Sequence, residues 1–181
     1  KAPAPKLRRF TAVELNPSLG DQQGDAVTLP AYNFSLSSQG LPTISEFQQA
    51  MLVNGQATLT FINRMPTPVD NIAATVQSQN GLVLRFTQAS VIQPNDSVKK
   101  AFSLANVTVG NVLSLNLSGR ILASTTPVRI DSSSVVFVRV DFSQDIQASR
   151  AVAKLPAATF TTSGNFTIDD STKIDYAEIK T

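Results

Sequence analysis

The sequence predicts an all-β fold, a two-sheet antiparallel β-sandwich of jelly-roll or immunoglobulin-like type, with roughly nine to eleven strands and one or two short helical turns. Three observations carry that expectation. First, Ala57, Leu59 and Phe61 alternate with Thr58 and Thr60, the period-2 pattern of a strand with one wet face. Met65-Pro66-Thr67-Pro68 interrupts the pattern, Ile72, Ala74 and Val76 resume it, and Leu82, Leu84 and Phe86 repeat it beyond Asn80-Gly81. The stretch from Gln56 to Phe86 thus reads as three strands of a β-meander. Second, Leu113, Leu115 and Leu117 alternate with Ser114, Asn116 and Ser118, and Val135–Phe142 is the most β-prone run in the chain, as expected of a central strand. Third, Asn54-Gly55, Pro94-Asn95-Asp96 and Gly110-Asn111 supply turn chemistry at short intervals.

In chain order, residues 1–9 (KAPAPKLRR) form a basic, proline-rich arm with no apolar face, expected to be flexible, and residues 10–181 form a single β-sandwich domain. Phe10–Leu15 reads as a short strand behind that arm. Ala26–Leu36, broken at Pro30, reads as an edge strand. Thr43-Ile44-Ser45-Glu46 fits a capping box and predicts a helical turn from Ile44, followed by a strand over Ala50–Val53 that turns at Asn54-Gly55 to pair with the next. Val98–Leu104 is a strand, and Gly110-Asn111 predicts a hairpin between Val107–Val109 and Leu113–Leu117. A further strand opens at Pro127. The segment 145–154 suits a second short helix, and Phe160, Asn165–Ile168 and Ile174–Tyr176 suggest closing strands. A start at Lys1 without methionine and an abrupt end at Thr181 read as a processed or excised chain.

Composition narrows the chemistry. Of 181 residues, 15% are charged and 42% hydrophobic, with a formal net charge of +2. Lys1, Lys6, Arg8 and Arg9 all lie in the first nine residues, so the basic balance describes the arm. The chain has no cysteine, no histidine and no tryptophan. Thiolate chemistry is therefore excluded, and so is histidine as general base or metal ligand. No run approaches the roughly 18 apolar residues of a membrane span. Ser132-Ser133-Ser134 lacks a nucleophile-elbow context. The carboxylates of Asp21 and Asp25, Asp141 and Asp145, and Asp169, Asp170 and Asp175 sit in turn-like stretches without calcium-loop spacing. The residues imply no enzyme, no cofactor and no metal. Five N-x-[ST] triplets occur among the eleven asparagines. Asn33, Asn95, Asn106 and Asn165 are the candidate glycosylation sites, and Asn116, placed on a strand, is a poorer one.

The run LTFINRMPTPVDNIAATV places Asn63 and Pro66 behind a strand and Val69 and Ile72 at the start of the next. It resembles the Asn-Pro bend of LEA-2-type β-sandwiches and is similar to repeated envelope domains of bacterial surface proteins, with the Asn-Pro pair split here by Arg64-Met65. The resemblance implies a β-sandwich and carries over no functional residue. The functional expectation is a structural subunit or surface module at the cell surface or outside the cell, assembling with copies of itself through strand edges. Phe10, Thr11, Ala12, Val13, Glu14 and Leu15 are the candidate donor strand, whose removal with the arm would leave a folded monomer. The alternatives are a viral jelly-roll coat protein touching nucleic acid through its basic arm, and a calcium- or carbohydrate-dependent adhesion domain.

Overall fold

The computed structural model describes residues 2–152 apart from Asn80 and Leu82, so the strands expected near Phe160, Asn165 and Ile174 lie outside the described residues. The first half of the chain gives β1 (Lys6–Thr11), α1 (Ala12–Leu15), a 3₁₀ turn (Pro17–Gln22), β2 (Ala26–Val27), β3 (Tyr32–Gly40), β4 (Gln49–Asn54) and β5 (Gln56–Arg64). There follow β6 (Val69–Ser78), β7 (Val83–Gln88), β8 (Ser97–Ser103), β9 (Val107–Gly110), β10 (Leu113–Ile121), β11 (Val128–Arg129), β12 (Val135–Phe142) and β13 (Gln147–Val152).

The pairing has one rule. β1 pairs with β12, β2 with β11, β3 with β10, β4 with β9, β5 with β8 and β6 with β7, all antiparallel. The first twelve strands are thus one long two-stranded ribbon, closed at the β6–β7 turn and rolled on itself. Rolling brings β12 against β5 and β10 against β6. Two four-stranded sheets result, in the orders β1-β12-β5-β8 and β3-β10-β6-β7. That winding is the jelly roll rather than the immunoglobulin arrangement. Between the sheets lie Leu59, Phe61, Val136, Val138 and Val140 from one and Ile72, Val76, Leu84, Leu115 and Leu117 from the other, all buried. Each such side chain contributes about 2 kcal/mol.

The nested pairing overturns three local expectations. β5 and β6 belong to different sheets, so the 56–86 stretch is not a meander; the Pro66–Pro68 segment is a crossing. Asn54-Gly55 and Gly110-Asn111 are not hairpins either. They are corners where the ribbon leaves the three-stranded sheet β13-β4-β9 for a neighbouring sheet. Gly55 holds φ +124°, and a Cβ there would lie 2.4 Å from Ile146 Cγ1 and 3.1 Å from its Cα, so the corner demands glycine. β6 and β7 do pair antiparallel across the segment that holds Gly81, at φ +102°, as the sequence announces.

The helical turns are also elsewhere. Thr11 and Glu14 form a true capping box: the Thr11 hydroxyl accepts from Glu14 N (3.2 Å) and the Glu14 carboxylate accepts from Thr11 N (2.7 Å). This turns Ala12–Leu15 into helix instead of the predicted strand. Thr43–Glu46 has the same spacing and no helix. There Ile44 N donates to Asn111 O (2.9 Å), and Glu46 accepts from Ala4 N (3.2 Å), so the groups that would close a first turn are engaged across the fold. The segment 145–154, expected as helix, supplies β13 on β4.

The crossing from β5 to β6 is fixed by Asn63, which is fully buried (0% exposed). Its amide donates to Thr67 O (3.1 Å) and Ile92 O (3.0 Å), and its Oδ1 accepts from Met65 N (2.9 Å). Its backbone accepts from Asn95 N (2.8 Å) and donates to Asp96 O (2.9 Å). The side chain thereby shapes the bend and ties it to Ile92, and the backbone of the same residue holds the turn before β8. At the start of β6, Asp70 accepts from Arg120 of β10 through two oxygens, at 2.9 and 2.6 Å. Asn63→Ala is expected to destabilise the protein by about 3 kcal/mol, because it leaves buried carbonyl and amide groups without partners. Chemical denaturation should show that loss with an unchanged m-value, whereas an Asn63→Ala protein as stable as the wild type would remove Asn63 from this role.

Candidate assembly surface

The candidate donor segment is seated in its own chain. β1 pairs with β12 in register from Lys6↔Val140 to Thr11↔Val135, and Phe10, Ala12 and Leu15 are core residues. The arm is correspondingly shorter than residues 1–9, because the strand begins at Lys6. Its cations hold the chain itself. The Lys6 ammonium donates to Thr43 O (2.9 Å), and Arg9 donates to Ser132 O. Arg8 lies 5.3 Å from the Phe10 ring centroid and 3.6 Å from Glu14.

The described residues bury least around β13. All six of its residues are exposed, although it is hydrogen-bonded to β4. A strand that belongs to a core hides alternate side chains; this one hides none. Register breaks flank Ala148, where the pairing skips a residue. On β4, Ala50 and Leu52 face inward, while Met51 and Val53 point the other way and are 46% and 44% exposed. Val152 pairs with Gln49 and joins that outer face, 47% exposed. Beneath β13 an open cleft of about 420 Å³ is lined by Pro3, Phe47, Leu52, Ile146, Ala148 and Ala151. An apolar face, an apolar cleft and a strand edge therefore occur together. Sequence reasoning missed this surface because the segment's pattern fits a helix as well as a strand. The signal available was that Met51 and Val53 alternate with Ala50 and Leu52.

The asparagine candidates fall on the surface. Asn33 is exposed on β3. Asn95 and Asn106 are exposed at turns with φ of 66° and 60°, and Asn95 Oδ1 accepts from Arg64 (2.8 Å). Asn116 is half-buried and accepts from Ser38 N (2.8 Å). Asn165 lies outside the described residues, as do Asp169, Asp170 and Asp175. The aspartates do not converge: Asp141 pairs with Arg139 (2.6 Å), and Asp131 accepts from Ser133 Oγ and N. Those two serine hydrogen bonds, the hydroxyl's foremost, hold the Asp131 carboxyl below the usual range. Among the described residues no three His, Cys, Asp or Glu side chains are grouped to hold a metal, and no helix is long and apolar enough to cross a membrane.

Glu46 ties the start of the chain to the cleft's rim. Partial burial opposes its charge, but its own and Ala4's backbone N–H groups, the Ser45 hydroxyl and the Lys6 ammonium outweigh that effect, so its carboxyl titrates below the ordinary range. A depressed folded pKa contributes stability at neutral pH that is lost as the pH falls through it. The Ala4 tether is therefore expected to release below about pH 4. Hydrogen exchange at Ala4 should lose protection over that window, and Glu46→Gln should lower the protection at pH 7. Protection unchanged down to about pH 2 would contradict the tether.

No family model matches the chain, and no curated protein matches it. Among solved structures, it is similar to a chain of "Structure of infectious bursal disease virus Gx strain", with 11% identity over 82% of this chain and 45% of that one. The chain thus spans less than half of that neighbour. The TM-score of 0.18 is too low for the likeness to bear on fold or function, and the strand order alone identifies this chain as a jelly roll.

Proposed function

We propose that this chain is a non-enzymatic structural subunit that assembles with copies of itself, and that β13 and the outer face of the β13-β4-β9 sheet form the contact. One observation carries the reading: β13 is hydrogen-bonded in place yet exposes all six residues, beside Met51 and Val53 on the same sheet. Pairing β13 with a strand of a second copy would satisfy the edge groups that no described strand pairs and cover Met51, Val53 and Val152. β1 is less suited to donation, since withdrawing it would take Phe10 out of the core and strip β12 of a neighbour. A closed shell is the second reading. It is favoured by the jelly-roll winding, an architecture that recurs in capsid proteins, although fold alone does not specify function.

Light scattering and negative-stain microscopy of the purified protein test both readings. Particles or filaments are expected for the wild type, with closed shells supporting the second reading. Met51→Lys combined with Val152→Lys should abolish them and move stability by no more than about 0.5 kcal/mol, since both positions are exposed. Assembly that survives the double substitution would move the contact elsewhere. A wild type that stays monomeric at about 100 μM would defeat the proposal, as stable contacts of standard size hold well below that concentration.

A further inference from the structure

The cations of the body look scattered in sequence, but the register gathers four of them. In the β1-β12-β5-β8 sheet, Val136, Val138 and Val140 of β12 and Leu59 and Phe61 of β5 point into the core. Their neighbours along the strands must point out. Leu7 stands opposite Arg139, Arg139 opposite Thr60, and Thr60 opposite Lys99, which gives one row across all four strands. The next row is Arg9, Phe137, Ile62 and Ser97, and beyond it Val135 meets Arg64. On the other side Asp141 and Thr58 meet Ala101. Arg9, Arg64, Arg139 and Lys99 therefore share a face that holds, among the described residues, one carboxylate, Asp141, paired with Arg139, while Arg9 also donates to Ser132 O and Arg64 to Asn95 Oδ1. At the rim, Glu14 is held by Thr11 and Arg8, and Asp96 accepts from Ser97 N.

The centre of this face is apolar. Phe137 and Ile62 are half-buried and directly opposed, and Leu7 is 47% exposed in the adjoining row. The outer face of the other large sheet differs: Ser35, Ser37, Ala73, Thr75, Asn116 and Ser118 line it, with Arg85 opposite Thr75. Positive charge around an aromatic centre on a flat sheet is complementary to a flexible polyanion with stackable rings.

We propose that the outer face of the β1-β12-β5-β8 sheet binds single-stranded nucleic acid, with Arg9, Arg64, Arg139 and Lys99 on phosphates and Phe137 under a base. The face is on the opposite side of the sheet from the core and does not involve β13, so it stands whether or not copies assemble. Each phosphate contact on a single strand adds about −0.7 to the slope of log affinity against log salt. Three or four contacts lower the affinity about 20- to 50-fold between about 50 and 200 mM salt.

Fluorescence anisotropy with a labelled oligothymidylate of about 20 nucleotides tests this, with duplex DNA and heparin as competitors. The wild-type chain should bind at about 50 mM salt with that slope. The variant Arg9→Gln, Lys99→Gln, Arg139→Gln should lose binding at least tenfold and flatten the slope, while its circular dichroism and assembly stay those of the wild type. Phe137→Leu should weaken binding several-fold with the slope kept, and Arg85→Gln should leave it unchanged. No binding at about 50 mM salt, equal binding by the triple variant, or tighter binding of duplex or heparin than of the oligothymidylate would each overturn the proposal.

Discussion

A jelly roll needs its ribbon to leave one sheet and enter the other without stranding backbone polar groups in the core. Asn63 solves that problem at the first crossing. The bend after β5 contains two prolines, which have no N–H to donate, and Met65, Thr67 and Val69 along it are buried. Without Asn63 the Thr67 carbonyl and the Met65 amide would stand alone and the Ile92 carbonyl would keep just the Val69 N–H, and a single carboxamide with two donors and an acceptor serves all three. Asp could not replace it, having no donors when ionised, and Leu would fill the volume and leave the Thr67 carbonyl and the Met65 amide unpaired. The positions of β6, of the Val69–Ile92 bridge and of the turn before β8 all follow from this one residue.

The same geometry explains why sheet order was not legible in the sequence while strand positions were. Alternation is a local property, so β5, β10 and β12 stand where their side chains put them, and Val135–Phe142 is observed as read. Pairing in a rolled ribbon is non-local. Asn54-Gly55 is as good a hairpin signal as Asn80-Gly81, and what separates them is whether the flanking strands have better partners elsewhere. β4 finds β9 and β13, and the glycine becomes a corner. The two T-x-x-E sequences make the point for helices. Thr11–Glu14 keeps its hydrogen bonds local and caps a turn, while Thr43–Glu46 gives them to Asn111, Ala4 and Lys6.

The candidate surfaces were legible to a still smaller degree. Arg9 beside Arg8, Lys99 beside Lys100, Arg64 and Arg139 lie far from one another in sequence and acquire a common face through pairings among four strands. Met51 and Val53 carried a signal, since a strand that alternates apolar residues on both faces asks what covers the second one. The arm was misjudged for a related reason. Its composition describes a solvated leader, yet a cation can pack its stem against apolar neighbours and give its charge to a carbonyl, as Lys6 does with Thr43.

The nested pairing also sets an order in time. During synthesis the turn between β6 and β7 can close as soon as it emerges, and the ribbon can lengthen outward from it. β1 is made well before β12 and must wait for it. Among the described strands its neighbour is β12, and about 130 residues separate Thr11 from the end of that strand. At roughly 5 to 20 residues per second, β1 waits on the order of 6 to 26 s with Phe10 uncovered and both edges open. The capping box that folds Ala12–Leu15 into helix forms from neighbouring residues alone, and it ends the exposed strand at Thr11 during that interval.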